Sequence, residues 1–125
     1  MKKPAVTPDI LAAGLLAIGE PTLSPDGSTF AFTMDAGGRQ HVFTMPAEGA
    51  FPLQITTGIH GFAHPAWAPD GSRIAAVSRD GIWVMSPDGR DIKCISRHTG
   101  GDDWPQWWPD GRSVLFSSRR RGWTQ

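Results

Sequence analysis

A chain of 125 residues with twelve basic and twelve acidic side chains carries no net charge, which removes the bulk electrostatic attraction that nucleic acid or an anionic membrane would require. The length is that of one domain, able to bury roughly two-thirds of the surface its unfolded chain exposes. The single cysteine, Cys94, cannot form an intrachain disulfide, so redox chemistry leaves the compartment open.

Residues 1–6 read as a loose terminus. Thr7 then supplies an N-cap, Pro8 suits the first helical position, and Asp9 faces the positive end of a helix dipole. Leu11, Leu15 and Ile18 recur at spacings of three and four, and Gly19 ends the run, so the pattern predicts a short amphipathic helix over residues 8–18. Lys2 and Lys3 ahead of this apolar run also permit a signal-peptide reading, but Pro8 and Asp9 interrupt it and no A-x-A-like cleavage site follows. A cytoplasmic chain is therefore expected, with the periplasm as the alternative if the segment is a signal. Residues 10–18 are about half the length of a membrane span, and no membrane contact is expected.

From Pro21 the chain repeats. Strand-like runs are predicted at residues 21–23, 29–34, 42–45 and 53–56, again at 63–67, 73–78, 82–85 and 93–96, and at 104–107 and 113–117. The turns between them share one design: Ser24-Pro25-Asp26-Gly27, Ala68-Pro69-Asp70-Gly71, Ser86-Pro87-Asp88-Gly89 and Trp108-Pro109-Asp110-Gly111. Proline has its φ already set for the second position of a type I turn, aspartate tolerates the third, and glycine accepts the positive φ that returns the chain. Gly27, Gly71 and Gly111 stand 44 and 40 residues apart. A period near 40 with four short strands per unit predicts β-propeller blades, over residues 21–58 and 59–98, with an incomplete third over 99–125. The four extra residues of the first unit fall at 35–40, where a longer hairpin loop is expected. The fifteen glycines and eleven prolines sit largely at these turns and mark an all-β fold, preceded by residues 1–20 as tail and helix.

Meander connectivity sorts the loops by end. The stereotyped Pro-Asp-Gly turns share one end, and the varied loops 35–40, 57–62, 79–80, 97–103 and 118–122 share the other, which is where binding is expected. Trp67 and Trp107 occupy one repeat position, held by Leu23 in the first blade, and are predicted to be buried between blades. The four histidines, His41, His60, His64 and His98, lack partners at ligand spacing, so neither metal nor cofactor is expected. The nearest approach to a nucleophile elbow, Gly111-Arg112-Ser113-Val114-Leu115, fails at its last position and follows a hairpin turn. No catalytic residue is assigned. Arg119, Arg120 and Arg121 form a short basic run read as a solvated loop, too little for nucleic acid.

The segments Leu23-Ser24-Pro25-Asp26-Gly27, Trp67-Ala68-Pro69-Asp70-Gly71 and Trp107-Trp108-Pro109-Asp110-Gly111, each followed by an apolar strand, resemble the W-S-P-D-G β-propeller repeat. That repeat is shared by TolB-like periplasmic propellers and the N-terminal propellers of prolyl-oligopeptidase-family serine peptidases. The N-terminal segment leading into Pro21 looks like the opening of acylaminoacyl-peptidase-like members. The resemblance implies a non-catalytic propeller that gates access to an α/β-hydrolase domain, with this chain an N-terminal fragment whose partners are the downstream blades and that domain. The alternative is a binding propeller that recruits protein partners through its varied loop face and has no enzymatic activity. As a fragment, it would expose Val114, Leu115 and Phe116 on an unfinished edge, and self-association is expected there.

Overall fold

A computed structural model describes residues 18–97 and 103–117. The helix expected over residues 8–18 and the basic run at 119–121 lie outside them. Ile18, the helix's expected last residue, instead opens a strand and pairs with Met34.

Ten strands form three antiparallel sheets. Blade 1 holds β1 (Ile18–Leu23), β2 (Thr29–Ala36), β3 (Arg39–Pro46) and β4 (Leu53–Gln54). Blade 2 holds β5 (Phe62–Trp67), β6 (Ile74–Ser78), β7 (Gly81–Met85) and β8 (Lys93–Arg97), and blade 3 the hairpin β9 (Asp103–Trp107) and β10 (Val114–Ser117). Each four-stranded sheet runs in chain order, so both are simple meanders.

The first strand of every blade begins earlier than the turn chemistry suggests, by three residues in blade 1 and by one in blades 2 and 3, and each contains a bulge. Register passes from Gly19↔Thr33 to Thr22↔Ala31, from Ala63↔Val77 to Ala66↔Ala75, and from Asp103↔Ser117 to Gln106↔Leu115. In each case two residues oppose one, and the second of the two is a proline: Pro21, Pro65 and Pro105. Proline cannot donate to a ladder, so a bulge on an edge strand is where it fits without loss of a hydrogen bond. His64, the other bulge residue of blade 2, has φ 55°.

The long loop expected at residues 35–40 is not a loop. Ladder pairing continues through Asp35↔Gln40 to Ala36↔Arg39, and Gly37 and Gly38, at φ 65° and 87°, make the two-residue turn. Positive φ at both central positions is the hairpin turn whose twist matches paired strands. The additional residues therefore lengthen the hairpin.

The core lies between blades 1 and 2, where Ala31, Val42, Ile55, Phe62, Ile74, Ala76 and Met85 form one buried cluster with Trp67 and Trp83 packed against it. Strand β6 is buried along its whole length, with no polar alternation. Blade 2 has neighbours on both faces, and a strand so enclosed reads as a continuous apolar run. At the outer rim, β8 alternates between exposed and half-buried residues.

Trp67 and Trp107 are half-buried, Trp67 packing against the core cluster, where sequence predicts rings largely buried between blades. Each ring lies on the neighbouring blade but keeps its N–H at the seam, where it has a partner. Trp67 Nε1 donates to the Thr22 carbonyl at 3.1 Å, and Trp107 Nε1 to the Ala66 carbonyl at 2.9 Å. Thr22 and Ala66 are equivalent positions, each one residue before the strand's end, so the same bond recurs between successive blades. Arg73 reinforces the second seam, its guanidinium 5.0 Å above the Trp107 ring and bonded to the Gly111 carbonyl at 2.9 Å. Leu23 holds this position in blade 1 and is 47% exposed.

Trp67→Phe, which removes the hydrogen bond together with part of the ring, is expected to cost at least about 1 kcal/mol, and Trp67→Ala about 3 kcal/mol through loss of contacts with the core. Urea unfolding midpoints measure both. A Trp67→Phe variant as stable as the parent would show that the indole N–H contributes nothing to the seam.

Candidate functional site

The two ends of the strands differ in chemistry. At one end, Gly27, Gly71, Gly89 and Gly111 each donate a backbone N–H to the residue three positions back, at 2.9 Å, and each has φ between 72° and 86°. The aspartate inside each turn serves as acceptor. Asp26 Oδ1 takes the Ser24 hydroxyl at 2.7 Å, the Ser28 hydroxyl at 2.7 Å and the Ser28 N–H at 2.9 Å. Asp70 takes the Ser72 hydroxyl and N–H, Asp88 the Ser86 hydroxyl and Arg90 N–H, and Asp110 the Arg112 N–H. Hydrogen bonds to a charged carboxylate favour that form. Bonds from Ser24 and Ser28 hold the Asp26 carboxyl down at about 2, and Asp70 and Asp88 are lowered chiefly by Ser72 and Ser86.

The sequence-derived positions Pro25, Asp26, Gly27, Pro69, Asp70, Gly71, Asp88, Gly89, Pro109, Asp110 and Gly111 thus form the turn end. A Cβ on Gly71 would come within 3.7 Å of Pro25 Cδ, and one on Gly111 within 3.9 Å of Pro69 Cδ, so the turns of successive blades also lie side by side. All donors and acceptors named here are spent on the turns themselves. This end is scaffold.

The opposite end gathers charge. An open cavity of about 190 Å³ is lined by Arg39 at the start of β3, by Ile59, His60 and Gly61 in the segment joining the blades, and by Arg79 in the β6–β7 turn. Three segments from two blades therefore converge. Gly61 is required at the junction, since a Cβ there would stand 2.7 Å from the Gln40 carbonyl oxygen. Gly81, just beyond Arg79, is equally constrained: at φ 148° its Cβ would overlap the Ser96 carbonyl.

Two residues along β3 from Arg39, His41 is buried. Its Nδ1 lies 2.9 Å from Thr56 Oγ1, which also accepts the Val42 N–H at 2.9 Å. Burial lowers the His41 pKa, opposed by a bond to the Gly58 backbone and assisted by the Arg39 charge. Alongside, Phe62 packs edge-on against Trp83, with ring centroids 6.0 Å apart. Trp83 Nε1 donates to Asp80 Oδ1 at 3.0 Å, and Arg97 bonds Asp80 Oδ2 at 3.3 Å while lying 5.6 Å over the Trp83 ring. The Asp80 carboxyl is lowered first by the Trp83 bond, and also by the charges of Arg97 and His60.

Segments 35–40, 57–62 and 79–80, three of the five varied segments singled out from sequence, meet at this end, the first as a ladder-paired hairpin and not a loop. That Arg39, Ile59, His60, Gly61 and Arg79 share one cavity was not legible in the sequence, because it depends on the tight Gly37–Gly38 hairpin that places Arg39 on a strand. Among the described residues, no group of three or more His, Cys, Asp or Glu side chains could hold a metal ion.

No protein-family model matches the chain. It is 31% identical over 106 residues to a TolB homologue of Chlorobium luteolum, covering 82% of this chain and 24% of that protein. Similarity to the uncharacterized peptidase YuxL of Bacillus subtilis, 27% over 130 aligned positions, covers 94% of this chain and 19% of that one. In three dimensions the blades superpose on TolB from Acinetobacter baumannii with a TM-score of 0.72 and 24% identity, over 86% of this chain and 28% of the other. The fold is that of the TolB β-propellers, and the relatives of the chain include both TolB homologues and peptidases. The chain spans about a fifth to about a third of the length of the curated relatives that it matches over most of its own.

Because the folded pKa of Asp26 lies below its ordinary value of 3.8, the stabilisation it brings is complete above that value and is lost as pH falls toward 2. Carboxyl carbon shifts followed by NMR should show Asp26 titrating near 2. Ser24→Ala removes the leading cause and should move the midpoint up toward 3.8; an unmoved midpoint would contradict the hydrogen-bond account.

Proposed function

We propose that this chain forms the access-controlling propeller of a prolyl-oligopeptidase-type serine peptidase, with its chemistry supplied by a hydrolase domain outside residues 1–125. The observation that supports this reading best is the extent of the likeness to YuxL. It runs through 94% of the chain, against 82% for the TolB homologue, and so includes sequence ahead of the blades. In this role the turn end and the blade seams hold the ring segment rigid, and the charged loop end meets substrates before they reach the catalytic centre. Downstream blades and the hydrolase domain are its first partners.

A second reading, a TolB-like binding propeller acting without an enzyme, is favoured by the slightly higher identity to the TolB homologue. The two separate on covalent chemistry. The 125-residue chain is expected to remain unlabelled by a fluorophosphonate serine probe, since Ser113 and its neighbours follow a hairpin turn and not a nucleophile elbow. Captured from its native cells with an antibody against residues 64–96, the polypeptide should be larger and labelled on serine. A captured polypeptide that stays unlabelled would replace the peptidase reading with the binding one.

A further inference from the structure

We propose that the cavity at the loop end of blades 1 and 2 binds a carboxylate carried beside an aliphatic group, as at the C-terminus of a peptide ending in an apolar residue. This goes beyond the peptidase reading and stands whether or not that reading holds.

Charge comes first. Arg39 and Arg79 reach the cavity from different blades, joined by the His60 imidazole. Both arginines are exposed, and neither is in an ion pair with a carboxylate of the described residues. The acidic group nearest in the chain, Asp80, is already engaged by the Trp83 indole and Arg97. Asp35 pairs with Gln40, while Arg39 pairs with Ala36; neighbouring positions on a strand point to opposite faces, so Asp35 leaves the hairpin on the other face. Two guanidinium groups therefore line the cavity with no carboxylate partner among the described residues, and their planar donors match a carboxylate with paired hydrogen bonds.

Shape and polarity narrow the class. Ile59 stands in the same wall and is 75% exposed. A large apolar side chain held in solvent beside two cations matches a ligand that is anionic at one point and apolar next to it. A volume near 190 Å³ holds about six waters, room for one terminal residue and not for a folded surface. Gly61, pinned against Gln40, keeps this wall free of a further side chain.

The test titrates the 125-residue chain with N-acetyl-Ala-Leu bearing a free C-terminus, with its C-terminal amide, with acetate and with inorganic phosphate. Amide shifts of Gly61 and side-chain Nε shifts of Arg39 and Arg79 report occupancy. The free-acid dipeptide should bind most tightly, acetate more weakly, and the amide at least tenfold more weakly. Arg39→Gln and Arg79→Gln should each reduce dipeptide affinity about tenfold, the loss expected for one charge-assisted hydrogen bond; both side chains are exposed, so the variants keep the fold. Ile59→Ala should weaken the dipeptide and leave acetate unchanged. Arg90→Gln, at the turn end, should alter nothing. Equal binding of acid and amide, tighter binding of phosphate than of the dipeptide, or shifts confined to residues outside the cavity would each overturn the assignment.

Discussion

One hydrogen bond, repeated at the same place in both seams between blades, governs how the sheets meet. An indole N–H at the end of an inner strand donates to a carbonyl one blade earlier, Trp67 to Thr22 and Trp107 to Ala66. By itself such a bond contributes on the order of 1 kcal/mol. Its importance is geometric: a ring tethered at its edge can lie in only one orientation on the neighbouring sheet. The Trp67 ring is thereby held against the cluster that includes Ile74 and Met85. The Pro-Asp-Gly turns then keep each inner strand at a constant length relative to its tryptophan, so the tether falls at equivalent points along the chain.

That constraint divides the molecule into two kinds of surface. At the turn end, aspartates, serines and backbone amides bond one another within a few residues and so fix the turns. At the loop end, segments distant in sequence come together only because the blades are in register. Arg39 and Arg79 are forty residues apart, one repeat, and stand at equivalent hairpins of adjacent blades. A rigid seam is what allows two such side chains to act on one small group, which is how a repeat fold turns packing into recognition.

Much of this was legible in the sequence for a specific reason. Turn chemistry is local, so Pro25-Asp26-Gly27 and its repeats identified every Pro-Asp-Gly hairpin correctly, and strand ends followed within one to three residues. What failed involved interactions between strands. Pro21, Pro65 and Pro105 mark the bulges, but a proline near a turn reads equally well as the beginning of a strand. The Gly37-Gly38 pair reads as loop until the ladder around it is seen to close. Trp67 reads as core because burial of a large ring is the common outcome, whereas its N–H requires an acceptor and so holds the ring at the seam. The cavity was the least accessible, since it depends on how one blade is placed on another.

The direction of the tryptophan bond also sets an order in time. In both seams the acceptor belongs to the earlier blade and the donor to the later one. A nascent chain leaves the ribosome N-terminus first, so every carbonyl is synthesised before the indole that bonds it. Leu23, in place of the first tryptophan, has no N–H to donate and makes no demand for an earlier blade to complete its polar contacts. Blade 1 can therefore serve as the template, and order of synthesis becomes order of assembly.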